Sequence, residues 1–260
     1  MENPKIFSHA YYELLHRAEE RHWWCRGTRE IAGALLESPL CEAGSGKKEW
    51  SALDAGCGTG YVLRWLRDLG VGGPVMGFDL SAHALGFCRS RGERGLCLAS
   101  ATDLPYRDRQ FNLIACFDVL QHLARPDGDV HALREFHRVL KPGGYAIIRA
   151  NARRAVDAGD GDEADYQRYT TDSLRAAFAA AGLEAVRVSY INSFDAWREG
   201  LGFQRRAGSR KVKNQSDHGL PLRLLPPWLS WLGAARLELL RAEARRLRRP
   251  GAEIARGHST

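Results

Sequence analysis

Residues 53–60 read Leu-Asp-Ala-Gly-Cys-Gly-Thr-Gly between an apolar run and an amphipathic segment, and no other stretch constrains the fold as tightly. Gly56, Gly58 and Gly60 let the backbone turn sharply and approach a ligand closely, and the helix that follows offers unpaired N–H groups at its start. The spacing is GxGxG rather than the GxGxxG of dinucleotide sites, which disfavours a nicotinamide oxidoreductase. An acid, Asp54, closes the strand just before the loop, with Cys57 inside it. A second acid, Asp79, ends the next apolar run 19 residues after Gly60, with Leu80 beside it. A carboxylate is acceptor-only and bidentate, so Asp79 suits a ribose diol; it suits equally the cap of a helix starting near Ser81.

From residue 50 onward, short apolar runs alternate with amphipathic segments, which is the pattern of βα units. The expected strands are 51–56, 75–80, 95–100, 112–118, 145–150 and 183–191, and the expected helices 61–69, 81–91, the stretch after Pro126 through Leu140, and 171–182. This predicts an α/β fold, a doubly wound and mostly parallel sheet, with ligands at the strands' carboxyl ends. Residues 8–37 carry apolar positions at helical spacing and predict two helices interrupted at Gly27, and the polar stretch 151–169 reads as a loop over the strand ends. The organisation is therefore lid helices over 1–45, a central domain over 46–192 and a basic helical appendage over 193–260, in a chain of 260 residues that is long enough for one large domain.

Four pieces in order resemble the class I S-adenosylmethionine-dependent methyltransferases: LDAGCGTG (53–60), GFDLS (77–81), ATDLPYRDRQFNLIACFDVLQHL (101–123) and HRVLKPGG (137–144). Within that family the chain is most similar to the branch holding the ubiquinone and menaquinone biosynthesis C-methyltransferases, and a weaker likeness over 168–190 extends the match to about three-quarters of the chain. The resemblance implies S-adenosylmethionine as cofactor, with Asp54, Gly56, Cys57, Gly58 and Gly60 around its methionine part and Asp79 and Leu80 at the ribose. Ser100 stands where the family often has an Asp beside the adenine, and the Ala101 N–H and the Leu104 side chain complete that slot. Asn112 replaces a usual Asp, in a structural place.

Phe117 and Asp118 end the fourth expected strand, where the family lines the space between methyl donor and acceptor. His122, one turn later, is the candidate general base, since imidazole titrates nearest neutrality; its alternative is a surface histidine that moves no proton. For Asp118 the alternative is a helix N-cap. His22-Trp23-Trp24 with Arg26 and Arg29 resembles the lid of this branch, with Arg29 clamping the cofactor carboxylate and one tryptophan, assigned here as Trp24, facing the sulfonium while the other packs. The expected activity is methyl transfer to a small-molecule or lipid-linked acceptor; the competing readings are an inactive S-adenosylmethionine-binding module serving a partner, and a nucleic-acid methyltransferase. The last is disfavoured because Phe117-Asp118-Val119-Leu120 is not the Asn/Asp-Pro-Pro-aromatic element that holds a flipped base.

The net charge of +7 is a C-terminal property: residues 198–260 hold 14 Lys+Arg against 5 Asp+Glu, leaving 24 against 26 for residues 1–197. Leucines, Trp228 and Trp231 interleaved with arginines over 220–249 fit either a peripheral membrane helix or one that docks its leucines on the sheet edge and leaves the arginines in water. The uncharged run 224–235, at 12 residues with two prolines, is too short to span a bilayer. Six scattered cysteines without metal-ligand spacing predict reduced thiols, no metal site and a cytoplasmic setting, and the first residues show no signal-peptide pattern.

Overall fold

The computed structural model describes residues 7–152, 167–191 and 230–248. Five strands, β1 (Ala52–Ala55), β2 (Val75–Asp79), β3 (Leu96–Leu98), β4 (Phe111–Phe117) and β5 (Leu140–Arg149), form one sheet in the order β3-β2-β1-β4-β5. Every pairing is parallel. The chain runs outward from β1 to β3, then returns to the other side of β1 at β4, so the order reverses between β1 and β4. A crevice at the carboxyl ends of the strands follows from that reversal.

Helices cover both faces, which is why every residue of β1 is buried, the acid Asp54 included. On one face α3 (Tyr61–Asp68) and α4 (Ala82–Ser90) bury Leu63, Leu66, Leu85 and Cys88 together with Leu36 and Leu40. On the other, α5 (Gly128–Val139) and α6 (Thr171–Ala180) bury Leu133, Phe136 and Ala177. Asn112 has the structural place expected of it, accepting from the Ser51 N–H at 3.1 Å and from Lys141 Nζ at 2.9 Å.

Several expectations are corrected. The N-terminal helices α1 (His9–Ala18) and α2 (Trp23–Ala43) break at residues 19–22 and not at Gly27. Gly27 lies inside α2, where a Cβ would stand 2.3 Å from Leu240 Cδ1; the glycine admits a crossing helix. That helix is α7 (Ser230–Leu247). Its Leu237, Leu240, Ala244 and Leu247 are buried with Trp23, Trp24, Ile31 and Ala34 of α2. Arg241 and Arg248 pair with Glu30 and Glu37 of α2 at 3.0 and 2.8 Å, and Arg236 lies 5.1 Å over the Trp23 ring. Of the two alternatives for the basic segment, the described part thus docks on the protein, and on α2 rather than the sheet edge. Residues 220–229 and 249 of that expectation lie outside the described residues, as does most of the loop expected over 151–169. No described helix is long and apolar enough to cross a membrane.

The strand expected at 183–191 is absent, although those residues are described. Part of its apolar pattern packs without ladder hydrogen bonds: Leu183 joins the core beside α5 and α6, and Tyr190 and Ile191 join the α2–α7 cluster, while Val186 stays exposed. β5 starts at Leu140 rather than at 145, because Leu140 pairs with Phe111 before a bulge brings Tyr145 opposite Leu113.

Candidate functional site

The crevice at the β1/β4 reversal opens into a cavity of about 730 Å³. Its floor is the loop after β1, where Gly56 and Gly58 have φ of 71° and 52°. A Cβ on Gly56 would lie 2.4 Å from Val119 Cγ2, so the loop is closely packed as well as left-handed. Asp79 ends β2 and ties this floor together: its Oδ2 accepts from the Gly58 N–H at 2.9 Å and its Oδ1 from the Ser81 N–H at 2.9 Å. The Tyr12 hydroxyl, from α1, donates to the same carboxylate. Burial pushes the Asp79 carboxyl up, while the N–H groups of Ser81 and Gly58 pull it back. Asp54 is 2% exposed, and its Oδ2 has no hydrogen-bond partner among the described residues. Burial, with Asp79 and Glu19 nearby, raises its carboxyl well above the usual range.

The roof is the α1–α2 junction. Glu19, the residue that ends α1, is 8% exposed and accepts from Thr59 Oγ1 and from Arg91 Nη2, the latter at 2.7 Å. Burial pushes its carboxyl up to about 7 against the pull of Thr59, Arg91 and Arg29. Arg29 donates to the Glu19 carbonyl at 3.0 Å and stacks 4.0 Å over the Tyr61 ring. Burial lowers its hold on its proton.

The far wall is built by the end of β4 and by β5. Asp118 adopts φ of 59°, turning the chain out of the strand, and Arg149 grips both its oxygens at 3.0 and 2.5 Å. Phe117 lies under the same guanidinium, 5.0 Å away. His122 sits in a short 3₁₀ turn, Leu120–His122, with the Phe7 ring edge-on at 5.3 Å. Gln121, Asn151 and Arg168 complete this wall.

Of the sequence-derived candidates, the cavity brings together Asp54, Gly56, Cys57, Gly58, Asp79, Leu80, Phe117, Asp118, His122 and Arg29. Four candidates fall elsewhere. Trp24 is 1% exposed and packs on α7 beside Trp23, so both lid tryptophans are structural. Gly60 caps α3, where a Cβ would meet Cys88 Sγ at 3.0 Å; it serves helix packing, not the cavity wall. Ser100 and Ala101 lie past the end of β3, off the cavity, with Ser100 Oγ bonded to Thr102 Oγ1 at 2.8 Å. Asp118 is corrected in role: the bidentate ion pair makes it a positioning residue for Arg149. Sequence reasoning missed Tyr12, Glu19, Thr59 and Arg149. Nothing in the spacing separates buried Glu19 from its exposed neighbour Glu20.

Residues 53–148 match the family model described as a methyltransferase domain. This stretch is a class I, S-adenosylmethionine-dependent methyltransferase domain. The chain is 34% identical over 105 residues to the tRNA (carboxymethyluridine(34)-5-O)-methyltransferase of Arabidopsis thaliana, covering 40% of this chain and 25% of that protein. It is 29% identical over 165 residues to the ubiquinone biosynthesis O-methyltransferase of Azoarcus sp. (strain BH72), covering 56% and 67%. The first relatives are matched over only 25%, 59% and 56% of their own lengths. Among solved structures, a chain from the complex of the Haloferax volcanii Trm112 methyltransferase activator with a candidate methyltransferase superposes with a TM-score of 0.56 at 25% identity, covering 75% of this chain and 83% of that one.

The methyltransferase domain's residues fit its cofactor. Asp79 offers a carboxylate that suits a ribose diol, Gly58 leaves the floor open, with only Leu15 near a would-be Cβ at 3.7 Å, and Asp54 lines the same cavity with one oxygen unpartnered among the described residues.

Proposed function

We propose that the chain transfers a methyl group from S-adenosylmethionine to a small-molecule or lipid-linked acceptor. The observation that carries this reading is the roofed cavity: at about 730 Å³ it falls within the roughly 300–1,000 Å³ of small-molecule sites, and α1 covers it from above. When bound, the cofactor supplies an electrophilic methyl on a sulfonium. The protein's task is then proximity, holding nucleophile and methyl about 3–3.5 Å apart in line. Asp79 and the glycine loop fix the donor, while the wall of Phe117, Gln121, His122 and Arg149 orients the acceptor. His122 is placed to take a proton from a hydroxyl or acidic carbon of that acceptor. A cytoplasmic setting is part of the proposal, supported by six free cysteines.

The test has two stages. Calorimetric titration with S-adenosylmethionine is expected to show binding. Turnover to S-adenosylhomocysteine is then expected with a panel of phenolic, quinol and carboxylate acceptors, and not with tRNA; methylation of tRNA alone overturns the acceptor class.

A further inference from the structure

The methionine end of the cofactor carries an ammonium and a carboxylate on one carbon. The end of the cavity under the α1–α2 junction presents charged groups of both complementary signs. Arg29 is one, and the sequence already marked it. Glu19 is the other, and its arrangement is uneven: Oε1 accepts from both Thr59 and Arg91, while Oε2 accepts no hydrogen bond from the described residues. A glutamate kept only to neutralise Arg91 has little reason to be there. Arg91 already bonds Glu20 at 2.6 Å, the His16 carbonyl at 2.9 Å and His16 Nδ1 at 3.1 Å. Oε2 is not sealed from solvent as Asp54 Oδ2 is, and Glu19 lines the cavity, so a cation bound there can reach it. Across the same cavity, the orphaned Oδ2 of Asp54 makes a second acceptor without a partner. An ammonium offers three donors and no acceptor, so two carboxylates lining one cavity suit it.

We propose that Glu19 binds the ammonium of the cofactor's methionine moiety, together with Asp54, while Arg29 takes the carboxylate. The α1–α2 junction thus reads the zwitterion and closes over it. This inference rests on the S-adenosylmethionine reading above, and the test separates the two.

The probes are S-adenosylhomocysteine and 5′-methylthioadenosine, which shares the adenosine and thioether but lacks the amino acid. Each is titrated calorimetrically into the full chain and into Glu19→Gln, whose amide oxygen still accepts from Thr59 and Arg91. The expected result is an affinity for S-adenosylhomocysteine weakened about tenfold or more, with 5′-methylthioadenosine unchanged within about twofold. Unchanged affinity for both, or equal loss of both, overturns the inference, the second by showing a merely structural role. Wild-type protein that binds neither probe overturns the cofactor reading itself. Should Glu19→Gln fold poorly, Glu19→Asp carries the same comparison: it keeps the charge, shortens the reach by one methylene, and is expected to lose S-adenosylhomocysteine selectively.

Discussion

The Gly58 N–H donates to Asp79 Oδ2 at 2.9 Å, tying the loop after β1 to the carboxylate that ends β2. The two acids and the glycine loop that stand apart in sequence are therefore one device. The carboxylate shapes the floor of the cavity, and in the proposed reading it also receives the ribose. Asp79→Ala is expected to weaken S-adenosylmethionine binding by about 1.5–3 kcal/mol, the worth of hydrogen bonds to a charged group. It should also lower the melting temperature, because the N–H groups of Gly58 and Ser81 lose their acceptor. Calorimetry and thermal melts check both, and an unchanged dissociation constant removes Asp79 from the ribose site.

Gly27 and Leu240 set how closely α2 and α7 approach. Gly27→Ala gains up to about 1 kcal/mol of helix propensity but forces a methyl to 2.3 Å from Leu240 Cδ1 and 2.8 Å from its Cβ, an overpacking that costs about 1–3 kcal/mol. The net expectation is a lower melting temperature. The double variant Gly27→Ala/Leu240→Ala should be more stable than the sum of its single variants, since the added methyl fills part of the space that Leu240 vacates. Strict additivity would show that the two helices do not bear on each other there.

The sheet was legible because βα units write themselves in local pattern: the runs around Leu53, Phe78 and Ile114 are apolar on both faces and end in glycine or acid. The floor of the site was legible for the same reason, since Gly56, Gly58 and Asp79 act through backbone geometry at strand ends. The roof was not. Trp24 and Gly27 have their roles fixed by α7, more than 200 residues away, and no local periodicity reports a partner helix at that distance. Arg149 was missed because it closes a strand whose other residues read as ordinary β sequence, and only the sheet order sets it against Asp118. The apolar pattern over 183–191 misled because Leu183, Tyr190 and Ile191 are apolar for packing on two different helix clusters, not for one face of a strand.

His122 lines the far wall of the cavity with the Phe7 ring against it. If it takes the acceptor's proton, His122→Ala is expected to cut turnover about a hundredfold or more, with the dissociation constant for S-adenosylmethionine within about twofold of wild type. Phe7→Ala should give a smaller loss, because it frees the imidazole without removing it. Equal turnover in His122→Ala would return the histidine to a purely structural place.

Glu19 gives the protein a pH signature of defined sign. Burial raises its carboxyl from the usual 4.5 to about 7, with Thr59, Arg91 and Arg29 opposing the shift and Glu20 adding to it. The folded state therefore holds this proton more tightly than the unfolded chain does. The stability it contributes is fully present below about 4.5 and is lost as pH rises through about 7. Asp54 and Asp79 are shifted in the same direction, so the whole protein cannot isolate the effect; the difference between wild type and Glu19→Gln can, because both retain the other acids. Wild type is expected to lose stability relative to the variant between about pH 5 and pH 8. A cationic ligand group reverses the balance, since it favours the ionised carboxylate. S-adenosylhomocysteine should therefore bind wild type more tightly as pH rises from about 6 to 8, with a flatter profile in the variant. Thermal melts and titrations across that range check both, and parallel profiles would place the titrating group elsewhere.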